Sequence, residues 1–370
     1  MPLTLHGIGT AVPAQRLSQQ EALAVAHRIN GGSSDKARLM DRIYRKTTVL
    51  SRGSVLLQND VDHGATRQHL SFYGADSPGT AERMRLFDEH AGQLALLAAR
   101  AALKEGGFAP SSITHLVTVS CTGFQSPGVD LFLIDQLGLP AGVQRTHIGF
   151  MGCHGALNGL RVAHAFAEMD PDAVVLLCCV ELCSLHMAYG WDPEKVVANA
   201  LFADGAAAAV CSAAPPSAAP PSADQALVLR SSGSTVIPDS SDLMHWQIGD
   251  HGFAMGLSPR VPETVGAALL PWLRSWLSSH GVDLSEVRSW AVHPGGPRIL
   301  STCAEVLSLN PRVLEHSKAV LQDHGNMSSA TILFILERLC RQPVAGPCLA
   351  LAFGPGLSAE VALLECQMTA

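Results

Sequence analysis

The sequence predicts an α/β protein with layered sheets, and two patterns support this fold class. Short apolar runs without polar alternation indicate strands buried on both faces; they lie at residues 115–120, 173–181, 206–211, 226–232, 289–292 and 348–353. Apolar residues at helical spacing predict long helices between them, at residues 81–105, 263–280 and 330–341. Strands that alternate with helices are typical of helix layers packed on buried sheets.

A stretch rich in proline, alanine and serine, residues 212–224, interrupts this pattern and is predicted to be an exposed loop. It divides the chain into residues 1–211 and 225–370, and both parts repeat the order strand, long helix, strand, glycine-containing turn, strand. We therefore expect two similar halves, as an ancestral duplication would produce. Residues 51–79 show no clear period and are predicted to be irregular.

The composition indicates a large apolar core and a protein that associates with itself. Hydrophobic residues make up 47% and charged residues 15% of the 370 residues, which is more apolar material than a monomer easily buries. The net charge of −7 provides no basic field for nucleic acid, so a polyanionic ligand would need a local basic cluster. Ten cysteines without a Cys-x-x-Cys pair favour reduced, packed thiols over a metal site.

Two further patterns concern the location of the protein. No apolar run reaches the roughly 18 residues of a membrane span, and residues 1–6 lack the basic and hydrophobic segments of a secretory signal. We therefore expect a cytoplasmic protein without a membrane span.

The first candidate catalytic residue is Cys153, in the segment Gly-Phe-Met-Gly-Cys-His-Gly-Ala. A short apolar run enters this turn and a helical stretch, residues 156–168, leaves it, which places Cys153 at a helix N-terminus. There the helix dipole and free amides favour a thiolate, and the glycines permit a strained turn. Taken alone, the motif equally fits a buried structural cysteine.

A histidine and an asparagine occupy comparable positions in the second half. His293 follows the strand at 289–292, and Asn326 lies just before the helix at 330–341. Each could alone be structural, since histidines bond turn carbonyls and asparagines are common in turns. Ser328 or Ser329 is predicted to cap the following helix.

Together, the three residues suit acyl transfer coupled to decarboxylation. A cysteine thiolate attacks a thioester and holds the acyl group, and a histidine stabilises that thiolate as an ion pair. Histidine and asparagine then donate hydrogen bonds to the enolate that remains when carbon dioxide departs. No metal or redox cofactor is needed, because the thioester carbonyl is the electron sink.

These segments resemble the chalcone and stilbene synthase superfamily, in its bacterial branch, over nearly the whole chain. The resemblance is carried by the turn of Cys153 and by Leu-Phe-Ala-Asp-Gly-Ala-Ala-Ala at 201–208, His-Pro-Gly-Gly at 293–296, Gly-Asn-Met-Ser-Ser-Ala at 325–330 and Phe-Gly-Pro-Gly-Leu at 353–357. It implies a thiolase-like five-layer αβαβα fold in a homodimer, in which Cys121-Thr122-Gly123-Phe124 resembles the interface segment. It also implies that Cys153 is the nucleophile and that His293 and Asn326 form the decarboxylation pair.

The function implied by the resemblance is that of a type III polyketide synthase. Such an enzyme loads an acyl-CoA starter, extends it repeatedly with malonyl-CoA and cyclises the product. CoA thioesters are the substrates and no cofactor is required. A resorcinol, pyrone or naphthol product is expected.

The resemblance further identifies residues that shape the cavity. Phe202 matches the family's gatekeeper phenylalanine, and the second gatekeeper is expected near Met255, with Phe253 two residues away. Cys183 and His186 align with the cavity wall, which Ser328 is expected to join. A cysteine at position 183 resembles bacterial members that make naphthalene-type or alkylresorcinol-type products, whereas the role of His186, in narrowing the pocket or in cyclisation, stays open.

Basic residues near the N-terminus bind the CoA phosphates in the family. Arg42, Arg45 and Lys46 are the candidates here, with Arg42 and Lys46 the better matches. Without the resemblance, such a cluster would be interpreted as a solvated helix face. In an acidic protein, however, a local basic patch is what would attract CoA.

Two other functions remain as alternatives. One is a single-round ketoacyl synthase III-like enzyme that uses a carrier protein, although such enzymes typically carry Gln-Ala-Asn where this chain has Pro-Gly-Gly after His293. The other is a catalytically silent relative with a binding or regulatory role, which the presence of all three polar residues disfavours.

Overall fold

The structure is a computed structural model that describes residues 1–31, 33–59, 66–68, 72–74, 76–213, 225–342 and 344–368. The strands are β1 (Leu3–Ala11), β2 (Arg16–Ser18), β3 (Ser51–Gly53), β4 (Leu57–Asn59), β5 (Thr66–Gln68), β6 (His115–Ser120), β7 (Gln144–Gly149), β8 (Val174–Leu182), β9 (Asp204–Ser212), β10 (Gln225–Val236), β11 (Met244–Gly249), β12 (Gly252–Leu257), β13 (Ser289–Val292), β14 (Gly346–Gly354) and β15 (Ser358–Met368). The helices are α1 (Gln19–Asn30), α2 (Ser34–Lys46), α3 (Thr80–Gly106), α4 (Val129–Leu137), α5 (Gly155–Met169), α6 (Pro193–Leu201), α7 (Val261–Ser279), α8 (Pro297–Val306), α9 (Glu315–His324) and α10 (Thr331–Cys340).

Nine of these strands form one hydrogen-bonded sheet, in the order β13-β14-β15-β10-β1-β9-β8-β6-β7. Two parts of the sheet meet at β1 and β10, which are joined by three residue pairs from Leu3–Leu229 to Leu5–Leu227. In the first part β6 is parallel to β8, and β8, β9 and β1 run antiparallel in turn. In the second part β13 is parallel to β14, and β14, β15 and β10 run antiparallel in turn. The connectivity therefore repeats, and the prediction of two similar halves is confirmed.

Helices form three layers around the two parts of the sheet. α3 and α4 pack on β6, β8 and β9 through a cluster that includes Phe87 and Leu176. α7 and α8 pack on β13, β14 and β15 through a cluster that includes Leu269 and Leu351. α5 and α10 lie in the middle, in a core that contains strands of both parts. The result is the five-layer αβαβα arrangement that the family resemblance implied, and the prediction of an α/β protein with layered sheets is confirmed.

The central helices explain the unusual apolar content. The first six residues of α10, Thr331 to Leu336, are all buried, because sheet covers this helix on both sides. A helix that is apolar all round is stable only in such a position. The turns that precede α5 and α10 are in contact at one end of the molecule. This contact brings the candidate catalytic residues of the two halves together.

The smaller helices α1, α2 and α6 form a separate cluster beside the sheet. It contains Ala22, Met40, Tyr44 and Val196, all nearly inaccessible to solvent. α6 ends directly before Phe202, so the packing of this cluster positions Phe202, which forms one wall of the site.

Most sequence-predicted elements agree with the structure to within a few residues. The strand at 115–120 is β6, that at 289–292 is β13, and the helix at 81–105 is α3 with one residue added at each end. The predicted loop at 212–224 begins later than expected, because Ser212 still pairs within β9; residues 214–224 lie outside the described residues. The prediction of irregular structure for 51–79 is wrong at β3, β4 and β5, which at three residues each are too short to show a period.

Within the described ranges, none of the helices combines the length and the apolar character that crossing a membrane requires.

Candidate active site

The turn that carries Cys153 connects β7 to the central helix α5. A 3₁₀ turn, Gly152–His154, runs directly into α5, so Cys153 lies at a helix N-terminus as the sequence predicted. Gly152 has a φ of 72°, and a Cβ added there would lie 2.6 Å from Cδ of Pro355. Only glycine tolerates both the positive φ and the close contact with Pro355. Glycine at this position therefore allows the turn to pack against the loop that follows β14.

His154, the neighbour of Cys153, fastens this turn to the same loop. Its Nδ1 lies 2.7 Å from Oδ1 of Asn158, and its Nε2 lies 2.8 Å from Oγ of Ser358. Ser358 in turn donates to the carbonyl of Pro355. The turn that carries Cys153 is thus held by a polar network.

His293 and Asn326 reach the site from the second half. His293 follows the last residue of β13, and its backbone N–H donates to the carbonyl of Leu351 at 2.8 Å. The backbone of Asn326 donates to Leu201 and accepts from Ala203, each at 2.9 Å. A bridge between the two halves therefore places Asn326 directly beside Phe202.

The side chain of Asn326 is oriented by its own turn. Its Oδ1 accepts a hydrogen bond from the backbone N–H of Ser328 at 2.9 Å and lies 4.0 Å from Sγ of Cys153. Because the oxygen is engaged, the amide N–H₂ group is left to donate to a ligand. This is the orientation that stabilisation of an enolate requires.

The prediction that Ser328 or Ser329 caps the following helix is wrong. A 3₁₀ turn, Ser328–Ala330, precedes α10, whose N-cap Ala330 has no side-chain hydrogen bond. Ser328 has a φ of 47° and places its Oγ 3.1 Å from Sγ of Cys121. Ser329 donates to Glu181 instead.

Burial determines the protonation states of Cys153 and His293. It raises the pKa of the Cys153 thiol to about 12, against side-chain hydrogen bonds with Ser328 and Asn326 that lower it. It lowers the pKa of His293 to about 3, and both ring nitrogens of His293 lack a hydrogen-bond partner in the described part of the chain. Each group alone is therefore neutral, and charge is favourable only if a thiolate and an imidazolium form together, since opposite charges stabilise each other.

A buried carboxyl group, Glu181, lies close to Cys153, and sequence reasoning missed it. It accepts from the backbone N–H of Cys121 at 3.0 Å and from Oγ1 of Thr122 at 2.7 Å, as well as from Ser329. Burial nevertheless raises its pKa, and its charge adds to the rise in the pKa of Cys153. The available signal was a glutamate near the end of an otherwise apolar strand run, β8.

One cavity, here called the main cavity, brings the three candidate catalytic residues together. It has a volume of about 460 Å³. Cys153, His293 and Asn326 lie at its inner end with Phe202 and Met255. The lining is predominantly apolar, as expected for a site that holds an acyl chain.

A second, smaller cavity lies on another side of Phe202 and is here called the side cavity. Its volume is about 80 Å³, and Phe202 and Met255 line both cavities. Cys183 and His186 line the side cavity, as does Trp246. Met255 therefore faces the cavities, whereas Phe253 packs its ring against His186 at a centroid distance of 4.3 Å.

The outer end of the main cavity is basic. Lys46 and Arg298 line it, whereas Arg42 is exposed one turn earlier on α2 and does not. Arg298 was missed by sequence reasoning, because nothing in the sequence places the first turn of α8 beside α2. The described residues contain no group of three or more His, Cys, Asp or Glu side chains arranged to hold a metal ion.

The fold and this site define a thiolase-like condensing enzyme with a Cys-His-Asn set. The chain belongs to the chalcone and stilbene synthase family: the N-terminal domain model of that family matches residues 2–215 and the C-terminal domain model matches residues 228–367. The predictions of an acyltransferase and of a type III polyketide synthase are thereby confirmed.

Relatives and solved structures agree with this assignment. The chain is 29% identical to the alpha-pyrone synthesis polyketide synthase-like Pks18 of Mycobacterium tuberculosis, over 98% of this chain and 90% of the relative. It is 31% identical to the 3,5-dihydroxyphenylacetyl-CoA synthase of Streptomyces toyocaensis, over 97% and 89%. The structure of PKS-I from the brown alga Ectocarpus siliculosus matches with a TM-score of 0.89 and 32% identity over 98% of both chains. That of 1,3,6,8-tetrahydroxynaphthalene synthase from Streptomyces coelicolor matches with a TM-score of 0.87 and 28% identity, over 99% of this chain and all of the other.

The strained turn before Cys153 yields a testable prediction. Gly152→Ala should slow the labelling of Cys153 by iodoacetamide at least about tenfold, because a left-handed alanine and the collision with Pro355 each cost about 1–2 kcal/mol and displace the thiol. Peptide mass spectrometry measures the labelling rate. The control is Gly142→Ala, whose added Cβ would meet nothing within 4 Å; equal labelling rates in the two variants would show that the turn does not position the thiol.

Proposed function

We propose that this chain loads an acyl group from CoA onto Cys153 and extends it with malonyl-CoA. The observation that carries the proposal is the main cavity. It joins a buried thiol, a buried histidine without a hydrogen-bond partner among the described residues, and an oriented amide to a basic opening. These are the groups needed for thioester exchange and for decarboxylation. The proposed substrates are CoA thioesters, and no cofactor is required.

The first half-reaction is acyl loading. The thiol proton of Cys153 passes to His293, and the resulting thiolate attacks the carbonyl carbon of the starter thioester. The C–S bond to CoA breaks, and the CoA thiolate leaves and takes a proton from His293. The starter is then a thioester on Cys153.

The second half-reaction is decarboxylative condensation. Malonyl-CoA loses carbon dioxide, and the electron pair of the broken C–C bond becomes an enolate on the thioester oxygen. His293 and the amide of Asn326 donate hydrogen bonds to that oxygen. The enolate carbon attacks the acyl group on Cys153 and releases the thiolate, so that the extended chain is on CoA and the cycle can repeat.

The shape of the cavities supports repeated extension followed by ring closure. Phe202 and Met255 stand between the main and side cavities, so they are the proposed gatekeepers, while Cys183 and His186 form the wall beyond them. Ser328, expected in the cavity wall, lines neither of these cavities but a third pocket of about 30 Å³ beside Cys153, which Phe202 and Met255 also line. A resorcinol, pyrone or naphthol product fits an apolar enclosure of this kind. The acyl-CoA starter is identified by the starter series described below.

A homodimer in the cytoplasm is the proposed state of the protein. β7 is an edge strand of the large sheet, and Phe124 and Met151 beside it are 63% and 39% exposed. Apolar side chains next to an unpaired strand edge are features of an interface. We propose that this edge meets its counterpart in a second copy.

The proposed activity predicts aromatic or pyrone products that depend on Cys153. Purified protein is incubated with isotope-labelled malonyl-CoA, alone and with a series of acyl-CoA starters, and products are identified by mass spectrometry. Cys153→Ala should abolish them, because no acyl-enzyme forms, whereas Cys340→Ala, at a partly exposed thiol elsewhere, should retain them.

Three outcomes of this experiment have different meanings. Products with several extensions establish iterative synthesis, and the best starter identifies the subclass. A single condensation, or a strict need for acyl-carrier protein, would favour the ketoacyl synthase alternative. Absence of both condensation and malonyl decarboxylation from folded protein would contradict the proposal and favour a non-catalytic role.

The opening of the main cavity predicts unequal effects of two basic residues on CoA binding. Lys46→Ala should raise KM for malonyl-CoA about three- to tenfold, since it removes a charge at the mouth, while Arg42→Ala should have less effect. Malonyl-pantetheine, which lacks the nucleotide, should show no change with either variant. Equal effects of both variants on malonyl-CoA would contradict the proposed CoA path.

A further inference from the structure

The hairpin of β11 and β12 forms the roof of both cavities. In the part of the chain that the structure describes, its strands pair with each other and not with the nine-stranded sheet. Met244, Met255 and Leu257 from this hairpin line the main cavity, and Trp246 lines the side cavity. The position of the roof therefore depends on the contacts that hold the hairpin to the body.

Both ends of the hairpin are fastened to the body of the molecule by hydrogen bonds. Near the tip, Gly252 donates to Oγ1 of Thr80 at 2.8 Å, and the backbone N–H of Thr80 donates to Asp250 at 2.8 Å. At the base, the backbone N–H of Leu257 donates to Oε2 of Glu194 at 3.0 Å. The middle of the hairpin, which covers the cavities, needs fastenings of its own.

His186 provides one of these middle fastenings through both ring nitrogens. Its Nε2 lies 2.7 Å from the carbonyl oxygen of Thr122, and its Nδ1 accepts the backbone N–H of Phe253 at 3.0 Å. The ring also stacks on Phe253 at an interplanar angle of 16°. Trp246 adds a second middle fastening by donating to the carbonyl of Cys121 at 2.6 Å.

These partners determine the protonation state of the ring. A carbonyl oxygen only accepts and a backbone N–H only donates, so the proton lies on Nε2 and Nδ1 is unprotonated. A proton on Nδ1 would face the N–H of Phe253 and break that hydrogen bond. Burial accordingly lowers the pKa of His186 to about 3, and the charge of Arg83 acts in the same direction.

One neighbour opposes this state, because the hydrogen bond to the Thr122 carbonyl raises the pKa of His186, but burial outweighs it. Thr122, Phe253 and Trp246 have no side-chain group that titrates near neutral pH, and burial raises the pKa of Cys183 in the same turn, which stays a neutral thiol. The titratable side chains of the hairpin itself, His245, Asp250 and His251, are exposed.

We infer that His186 is a positioning residue that holds the cavity roof as a permanently neutral imidazole, and that it limits product length without transferring protons. The inference rests on the proposed function, since product length has meaning only for a chain-extending enzyme. When the hydrogen bond to Phe253 is lost, the strand that carries Met255 can move away from Phe202. The cavity then enlarges, and the product distribution shifts toward longer chains.

The test compares His186→Phe with the control His245→Phe. Phenylalanine at 186 keeps the stack on Phe253 but removes both hydrogen bonds, whereas residue 245 is exposed on the same hairpin. Amide hydrogen exchange of residues 252–257 should accelerate by about two- to tenfold, the equivalent of one hydrogen bond, in His186→Phe only. The ratio of longer to shorter products should rise in the same variant. His186→Leu, which also lacks a donor and an acceptor, serves if the phenylalanine variant does not fold.

The pH dependence separates a positioning role from an acid–base role. In the unmodified protein, the product ratio should be constant from about pH 6 to about pH 8, the range in which an ordinary histidine titrates. A ratio that follows a titration and is lost in His186→Phe, or unchanged hydrogen exchange in that variant, would overturn the inference. If the unmodified protein makes no polyketide from any starter, the proposed function fails, and the exchange rates alone decide whether His186 fastens the roof.

Discussion

The whole arrangement depends on burying the first six residues of α5 (155–160) and of α10 (331–336) between two parts of one sheet. A helix segment covered on both sides is largely apolar, so the polar chemistry lies mainly at the ends of such segments. Both helices begin beside the junction of the two halves, where Ser329 Cβ lies 3.4 Å from the position that a Cβ on Gly155 would occupy. The dipoles of the two helix N-termini therefore converge on the place where an enolate or thiolate would form.

Among the described residues that line the two cavities, two have buried side-chain nitrogens without a partner: Arg52 at Nε alone, and His293 at both ring nitrogens. Arg83 is fully buried and donates to the carbonyls of Pro78 and Leu185, and Glu181 is surrounded by donors. His293 has no partner for either nitrogen among the described residues. A buried unpaired imidazole costs free energy, and the cost is understandable if the partner is the substrate or the thiolate of Cys153.

The sequence predicted the parts of the structure that depend on local pattern. β6 and β13 appear as continuous apolar runs, and the turn at Cys153 and the position of His293 follow from glycines and strand ends. The juxtaposition of Asn326 with Phe202 depends on a bridge between the two halves, and only the family resemblance indicated it. Local propensity failed at Ser328, where a left-handed backbone and contact with Cys121 replace the expected helix cap.

Other features could not be predicted because they arise from packing alone. The hairpin β11–β12 has no sequence signal that places it over the cavities, and Arg298 approaches Lys46 only in the folded chain. The two hydrogen bonds of His186 likewise join segments that are 64 and 67 residues apart. Because such contacts join distant segments, the role of His186 could not be predicted from its position in the sequence.

The most direct test of the account is the pH profile of Cys153 alkylation by iodoacetamide in the unmodified protein and in His293→Ala. An ion pair with His293 should allow labelling near pH 7, with a rate that levels off at higher pH, because the thiolate is already formed. Without the histidine, burial holds the pKa of Cys153 toward about 12, and the rate should keep rising into the alkaline range. Identical profiles in the two proteins would contradict the claim that the buried pair is the centre of the catalytic site.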